Sequence, residues 1–219
     1  MAQVVIFGAG DIGRLARVYF TRDSEHEVVA FAVDPGFRHV DELLGLPVLD
    51  FDDACRRFPP DAHSMFIALS YGRMNQDRAG KYEIARQRGY SLVSYVSSRC
   101  TFLTDEPVGD NCFILEDNTI QPFVKIGSNV TMWSGNHIGH DSVVEDHCFI
   151  TSHVVVSGHV RVGAYSFIGV NATLRNSITL APRTLVGAGA VIMKDTIEKG
   201  VYLPRRSELF IKRSDEVEL

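Results

Sequence analysis

The sequence has no apolar run near the roughly 20 residues that span a bilayer, which argues against a helical membrane protein. It has no excess of basic residues: a net charge of −5 argues against a protein that grips nucleic acid through a cationic face. Its N-terminus, Met1-Ala2-Gln3-Val4-Val5-Ile6-Phe7-Gly8, lacks a basic segment and a cleavage site, so no secretory signal is expected. Cysteine is scarce. Cys55, Cys100, Cys112 and Cys148 show no CxxC or other metal spacing, and reduced thiols in a cytoplasmic protein are the expectation. Charged residues (22%) and apolar residues (45%) are in the ordinary range of a globular chain, and 219 residues allow one large domain or two small ones.

What the chain does have is a repeat. Stepping by six from Val108 meets Ile114, Ile120, Ile126, Met132, Ile138, Val144, Ile150, Val156, Val162, Ile168, Leu174, Leu180, Val186 and Ile192. Every position is aliphatic or Met. If about a third of residues are of that kind, chance yields such a run on the order of once in ten million. Gly often follows (Gly109, Gly127, Gly139, Gly163, Gly169, Gly187), and the fourth residue after the step is usually small, as at Cys112, Cys148, Ala172 and Ala190. A period of six fits neither an α-helix nor an alternating strand. It fits a triangular solenoid in which each hexapeptide makes one side, 18 residues make one coil, and the aliphatic residue points inward. The fold class expected is an all-β left-handed parallel β-helix over 108–204, following an α/β half-Rossmann domain over 1–96. A linker is expected at 97–107 and a tail at 205–219.

In the first domain, residues 3–7 read as a buried strand running into Gly8-Ala9-Gly10-Asp11-Ile12-Gly13. An amphipathic helix follows, with Ile12, Leu15, Ala16 and Tyr19 on one face. A strand over 27–33 ends at Asp34. In such a β-α-β unit the N–H groups at Gly8, Gly10, Asp11 and Ile12 can hold a phosphate, and Asp34 can accept hydrogen bonds from a sugar or base. The glycines can equally serve only to make a tight turn. Helices near 51–58 and 75–88 and strands at 65–69 and 91–94 complete about half a dinucleotide fold, which suits one nucleotide better than NAD.

Five of the eight histidines fall between residues 137 and 159. A zinc site needs three or four converging ligands. His137, His140, His147 and His153 read as occupying different phases of the hexad, so no metal is expected. His140 falls two residues after the inward Ile138, on the outer surface. There a neutral imidazole can act as a general base, or it is a plain surface residue. Asp141 is the candidate to orient it. Neighbours on a strand point to opposite faces, so that pairing requires a local bend.

Taken together, the hexapeptide array, the N-terminal half-Rossmann domain, Asn136-His137-Ile138-Gly139-His140-Asp141 and Val186-Gly187-Ala188-Gly189-Ala190-Val191 resemble the bacterial sugar acetyltransferases of the NeuD/PglD type. These belong to the left-handed β-helix acyltransferase superfamily. The resemblance covers essentially the whole chain. It implies a cytoplasmic homotrimer that transfers acetyl from acetyl-CoA, without a metal, to the amine of a UDP- or dTDP-linked amino sugar for surface-glycan biosynthesis. It implies His140 as base paired with Asp141, and acetyl-CoA in an intersubunit groove lined by His153, Gly158, Val170, Gly187 and Ala188. It places the nucleotide sugar on Gly8, Gly10, Asp11, Ile12 and Asp34. Two departures stand out. Tyr202-Leu203-Pro204-Arg205 replaces the family's Gly-x-Pro-Ala, so that Arg205 or Arg206 could meet the 3′-phosphate of CoA. Ser152-His153 replaces a frequent Pro-Gly. The rival readings are sugar O-acetylation, a β-helix that only binds, and an NAD enzyme built on the glycine-rich turn.

Overall fold

The computed structural model describes residues 1–205 together with 207–209, 211, 213 and 215. Among these residues no helix is long and apolar enough to cross a membrane.

The first domain forms because its strands are apolar on both faces. Its elements are β1 (Gln3–Phe7), α1 (Asp11–Arg22), β2 (Glu27–Val33), β3 (Glu42–Leu43), β4 (Leu46–Asp50), α2 (Phe51–Arg57), β5 (His63–Ile67), α3 (Gln76–Gln87) and β6 (Ser91–Leu92). The sheet order is β3-β4-β2-β1-β5-β6, parallel except for the β3/β4 hairpin. Val4 and Ile6 of β1 pack with Ala16 and Phe20 of α1, whereas Val5 and Phe7 pack with Phe51, Ala54, Tyr82 and Ala85 on the other side. The hairpin was not expected. Its turn takes left-handed φ at both Leu44 (51°) and Gly45 (76°), which matches the right-handed twist of paired strands.

The repeat folds as the left-handed β-helix that its period demands. The first face stacks Phe113–Ile114, Thr131–Met132, Phe149–Ile150, Phe167–Ile168 and Leu185–Val186. The second stacks Thr119–Ile120, His137–Ile138, Val155–Val156, Thr173–Leu174 and Val191–Ile192. The third stacks Lys125–Ile126, Val143–Val144, Arg161–Val162 and Thr179–Leu180. Each pairing joins residues 18 apart, as at Ile138↔Val156. All the step residues from Ile114 to Ile192 are at most 5% exposed. Burying each such side chain contributes roughly 1.5–3 kcal/mol. The small-residue positions are buried too, and burial pushes the Cys112 and Cys148 thiols up to about 12. Inert thiols fit their packing role.

The helix starts earlier than expected. Tyr95–Val96 pairs with Phe113–Ile114, and Thr101–Phe102 pairs with Thr119–Ile120, so the expected linker at 97–107 lies within the ladders. Val96 and Phe102 continue the six-residue step upstream of Val108 and pack against the same core. At the far end Val201–Tyr202 pairs with Leu185–Val186, two residues short of a full coil.

The first domain docks on the first face of the helix. Tyr19, Phe20, Phe66 and Tyr95 pack around Phe113, and Tyr71 packs on Phe149 and Phe167. Arg78 of α3 is 1% exposed. Its guanidinium donates to the carbonyls of Asn129, His147 and Cys148 at 3.0–3.2 Å, and burial lowers its pKa to about 10, so it stays charged. The seam therefore holds a cation satisfied by carbonyl dipoles.

Candidate active site

Each corner of the prism is a turn whose second residue is left-handed. Asp141 (φ 57°), His147 (64°), His153 (57°) and His159 (58°) all occupy this position. Asp and His are among the few non-glycine residues that take it readily. His147 and His153 thus share one phase, contrary to the sequence expectation. They diverge because each six-residue step advances the chain by one corner, not because their phases differ.

The left-handed Asp141 supplies the bend that the His140–Asp141 pairing required. Asp141 Oδ2 lies 2.8 Å from His140 Nδ1, and the His140 N–H donates to Gln121 Oε1 at 2.9 Å. Given a carboxylate partner, neutral His140 carries its proton on Nδ1 and presents a free lone pair on Nε2. Gly158, one coil above, packs on that edge of the ring. A Cβ built on Gly158 would stand 2.7 Å from Nε2 and 2.9 Å from Cε1, so any larger residue there would displace the ring. Among the described residues the Gly158 N–H has no hydrogen-bond partner. The His140 side chain is 53% exposed. A basic nitrogen, a fixed carboxylate and a free N–H donor therefore share one accessible corner, and together they can accept a proton and steady a developing negative oxygen.

His159 was not singled out as a site residue, yet it joins this corner. Its ring meets that of His140 edge-on, with centroids 4.9 Å apart, and its Nε2 lies 3.9 Å from Asp141 Oδ2. The signal was available: His159 follows Asp141 by 18 residues, one full coil. Gln121 lies one coil below Gly139, and so beside the N–H of the next residue, His140.

Of the other expected site residues, His153 holds the left-handed position of a different corner, in line at 18-residue steps with Gly135, Asn171 and Gly189, and Val170 and Ala188 immediately precede the last two. Gly187 adjoins them, its Cβ position 3.0 Å from Leu203. Arg205 shares a shallow pocket with Gly189, Val191 and Pro204 at the top of that corner. These residues form one continuous edge, but the edge is not that of His140. The two edges bound the second face. The outward residues that precede its inward aliphatics, Thr119, His137, Val155, Thr173 and Val191, are uncharged, and the exposed Arg175 follows Leu174 on the side of the His140 edge. Arg206 lies outside the described residues.

His140 also occupies the corner opposite the face on which the first domain sits. Gly8, Gly10, Asp11, Ile12 and Asp34 of the same chain are therefore remote from it. Gly8 (φ 115°) turns tightly against Ala68 O, and Gly13 abuts Gly8 O, but Gly10 faces open space at the helix start. Asp34 is already engaged: its Oδ1 accepts from Lys81 Nζ at 2.6 Å. Lys81 lies over the rings of Phe7 and Phe51. This ion pair joins residues 47 positions apart and was not legible in the sequence.

No family model matches the chain. Over 95 residues it is 28% identical to the acyl-[acyl-carrier-protein]–UDP-N-acetylglucosamine O-acyltransferase of Stutzerimonas stutzeri, covering 40% of this chain and 37% of that protein. A Pseudomonas putida enzyme of the same name is 27% identical over the same share. The matched segment thus spans little more than a third of these curated relatives. Solved structures match far more of the chain. A histidine variant of perosamine N-acetyltransferase from Caulobacter crescentus, in complex with CoA and GDP-perosamine, superposes with a TM-score of 0.82 at 23% identity. That match covers 93% of this chain and 94% of the other. The acetyltransferase domain of PglB from Neisseria gonorrhoeae, in complex with acetyl coenzyme A, gives 0.78 at 20% identity, covering 93% and 96%. The chain shares its fold with these acetyltransferases over more than nine-tenths of its length.

Proposed function

We propose that this chain is an acetyl-CoA-dependent N-acetyltransferase whose acceptor is the amine of a nucleotide-linked amino sugar. The observation that carries this reading is the His140–Asp141 dyad with Gly158 against its free nitrogen. The likeness to acetyltransferases solved with CoA, acetyl coenzyme A and GDP-perosamine supports it.

The acceptor amine attacks the thioester carbonyl while His140 Nε2 takes its proton. Asp141 holds the imidazole in the productive tautomer and stabilises its cation. The Gly158 N–H donates to the oxyanion. The tetrahedral intermediate collapses with loss of the CoA thiolate, which recovers the proton from His140. The chain offers no cysteine for a covalent route at this corner, and the acyl group passes directly to the amine.

The active assembly is a homotrimer. With the second faces turned inward, the His153–Val170–Ala188–Arg205 edge of one copy lies beside the His140 edge of the next. One edge then holds the coenzyme and the other the base. The first domain of a neighbouring copy brings the sugar nucleotide, with its phosphates at Gly10, Asp11 and Ile12. The reaction belongs to the cytoplasm, where both acetyl-CoA and nucleotide sugars are made.

The test is incubation with acetyl-CoA and a panel of UDP-, dTDP- and GDP-linked amino sugars, with free thiol measured and the product mass determined. A gain of one acetyl on an amine supports the reading. Transfer only to hydroxyls favours O-acetylation, the chemistry named for the curated relatives. Binding of a nucleotide sugar without any transfer favours a binding module.

A further inference from the structure

His137, His147 and His153 stand at other positions around the prism, whereas coil stacking brings His159 beside His140 and Asp141. His140 Nδ1 and Asp141 Oδ2 lie 2.8 Å apart, and His159 Nε2 lies 3.9 Å from the same oxygen. Suitable donor atoms of all three residues fall within 4.8 Å of one another, the one such group among the described residues. Ligands of a tetrahedral zinc ion at bond lengths of about 2.0–2.2 Å stand roughly 3–3.5 Å apart. The two observed separations bracket that value. Both rings and the carboxylate are exposed, with side-chain exposures of 53%, 58% and 43%, so small rotations bring them to it. The backbone holds the set in register: the His159 N–H donates to the His140 carbonyl at 2.9 Å, and Asp141 is fixed in its left-handed turn. Two imidazoles and one carboxylate suit Zn²⁺ or Co²⁺ better than Mg²⁺ or Ca²⁺.

We propose that His140, Asp141 and His159 form a surface site for a divalent transition-metal ion, and that occupying it switches off His140 as a base. The binding half stands alone; the inhibitory half rests on the proposed acetyl transfer. The proton balance makes the two roles mutually exclusive. In the free dyad the imidazole proton sits on Nδ1 and the lone pair on Nε2. A metal on Nδ1 takes the lone pair there and moves the proton to Nε2, which then donates and cannot accept. The ion also neutralises Asp141, which would otherwise stabilise the imidazolium. His159 is thus the residue that turns a catalytic dyad into a metal-sensitive one.

The test is calorimetric titration of the chelator-stripped full chain with ZnCl2, and with CoCl2 followed by visible absorption. One ion per chain is expected. Affinity should fall at least tenfold in His159→Ala, His159→Gln and Asp141→Asn, and be unchanged in His39→Ala, an exposed histidine of the first domain. Thermal melts matching the parent chain show that the variants fold. In the transfer assay Zn²⁺ should suppress turnover of the parent chain and spare both His159 variants at the same concentration. No binding to the parent chain, or undiminished binding after His159→Ala and His159→Gln, overturns the site. Binding without inhibition overturns the switch. If no acetyl transfer exists at any metal concentration, the failure belongs to the functional reading, and the titration still decides the site.

Discussion

Replacing Gly158 by alanine adds one methyl group against the Nε2 edge of the proposed base. Its Cβ would lie 2.7 Å from His140 Nε2, where ordinary contact begins near 3.4 Å, so the ring must retreat by about 0.7 Å. That retreat stretches the 2.8 Å hydrogen bond to Asp141 and turns Nε2 away from its acceptor. Misplacement by 1 Å costs about a hundredfold in rate, so kcat should fall roughly ten- to a hundredfold. Stability should barely change, by less than about 0.5 kcal/mol, because the exposed ring has solvent to turn into. Gly158 has no left-handed φ, so alanine fits its backbone, and the substitution leaves the N–H in place. Acetyl transfer and thermal unfolding measured on the same preparation separate the two effects. A folded Gly158→Ala protein whose kcat stays within twofold of the parent would refute the claim that His140 acts from this position.

Two further outcomes concern stability. Arg78→Met strands the buried carbonyls of Asn129, His147 and Cys148, which the guanidinium satisfies. It should cost about 2–4 kcal/mol in urea unfolding, and a loss below about 1 kcal/mol would contradict the account of the seam. Asp23 is held at about 2 by hydrogen bonds from Ser98 and then Tyr95. Its folded pKa is depressed, so its stabilisation is complete above its ordinary value near 3.8 and disappears as pH falls through about 2. The melting temperature of the parent chain should exceed that of Asp23→Asn at pH 5, and the gap should close between about pH 4 and 2. A gap independent of pH would contradict this.

The β-helix was legible because one residue in six must point into a narrow core, and Val108 to Ile192 meet that demand without a break. Its first turn was missed because Phe102 continues the register with an aromatic rather than an aliphatic side chain, and Val96 lies beyond it. The docking face was written at a longer period that the six-residue step hides. The outward residues Phe113, Thr131, Phe149, Phe167 and Leu185, 18 apart, are mostly apolar because the first domain covers them, whereas Lys125 and Arg161 on the third face are not. The dyad was legible in His140-Asp141, but the left-handed turn that lets adjacent side chains meet was not. His159 and Gln121 required counting by coils. The Lys81–Asp34 pair required the folded sheet, since α3 must close over the end of β2 before the two meet. That Gly158 alone of the expected coenzyme residues shares the edge of His140, the others grouping on a different edge, became visible only once the corners were assigned.

The central claim is that His140 takes the proton of the acceptor amine. Single-turnover transfer from acetyl-CoA to a competent nucleotide amino sugar, compared between the parent chain and a folded His140→Asn protein, tests it most directly. The rate of transfer should fall roughly 10²–10⁴-fold, the usual worth of a positioned general base, with binding of both substrates retained. A His140→Asn protein that transfers acetyl within a few-fold of the parent rate would contradict it.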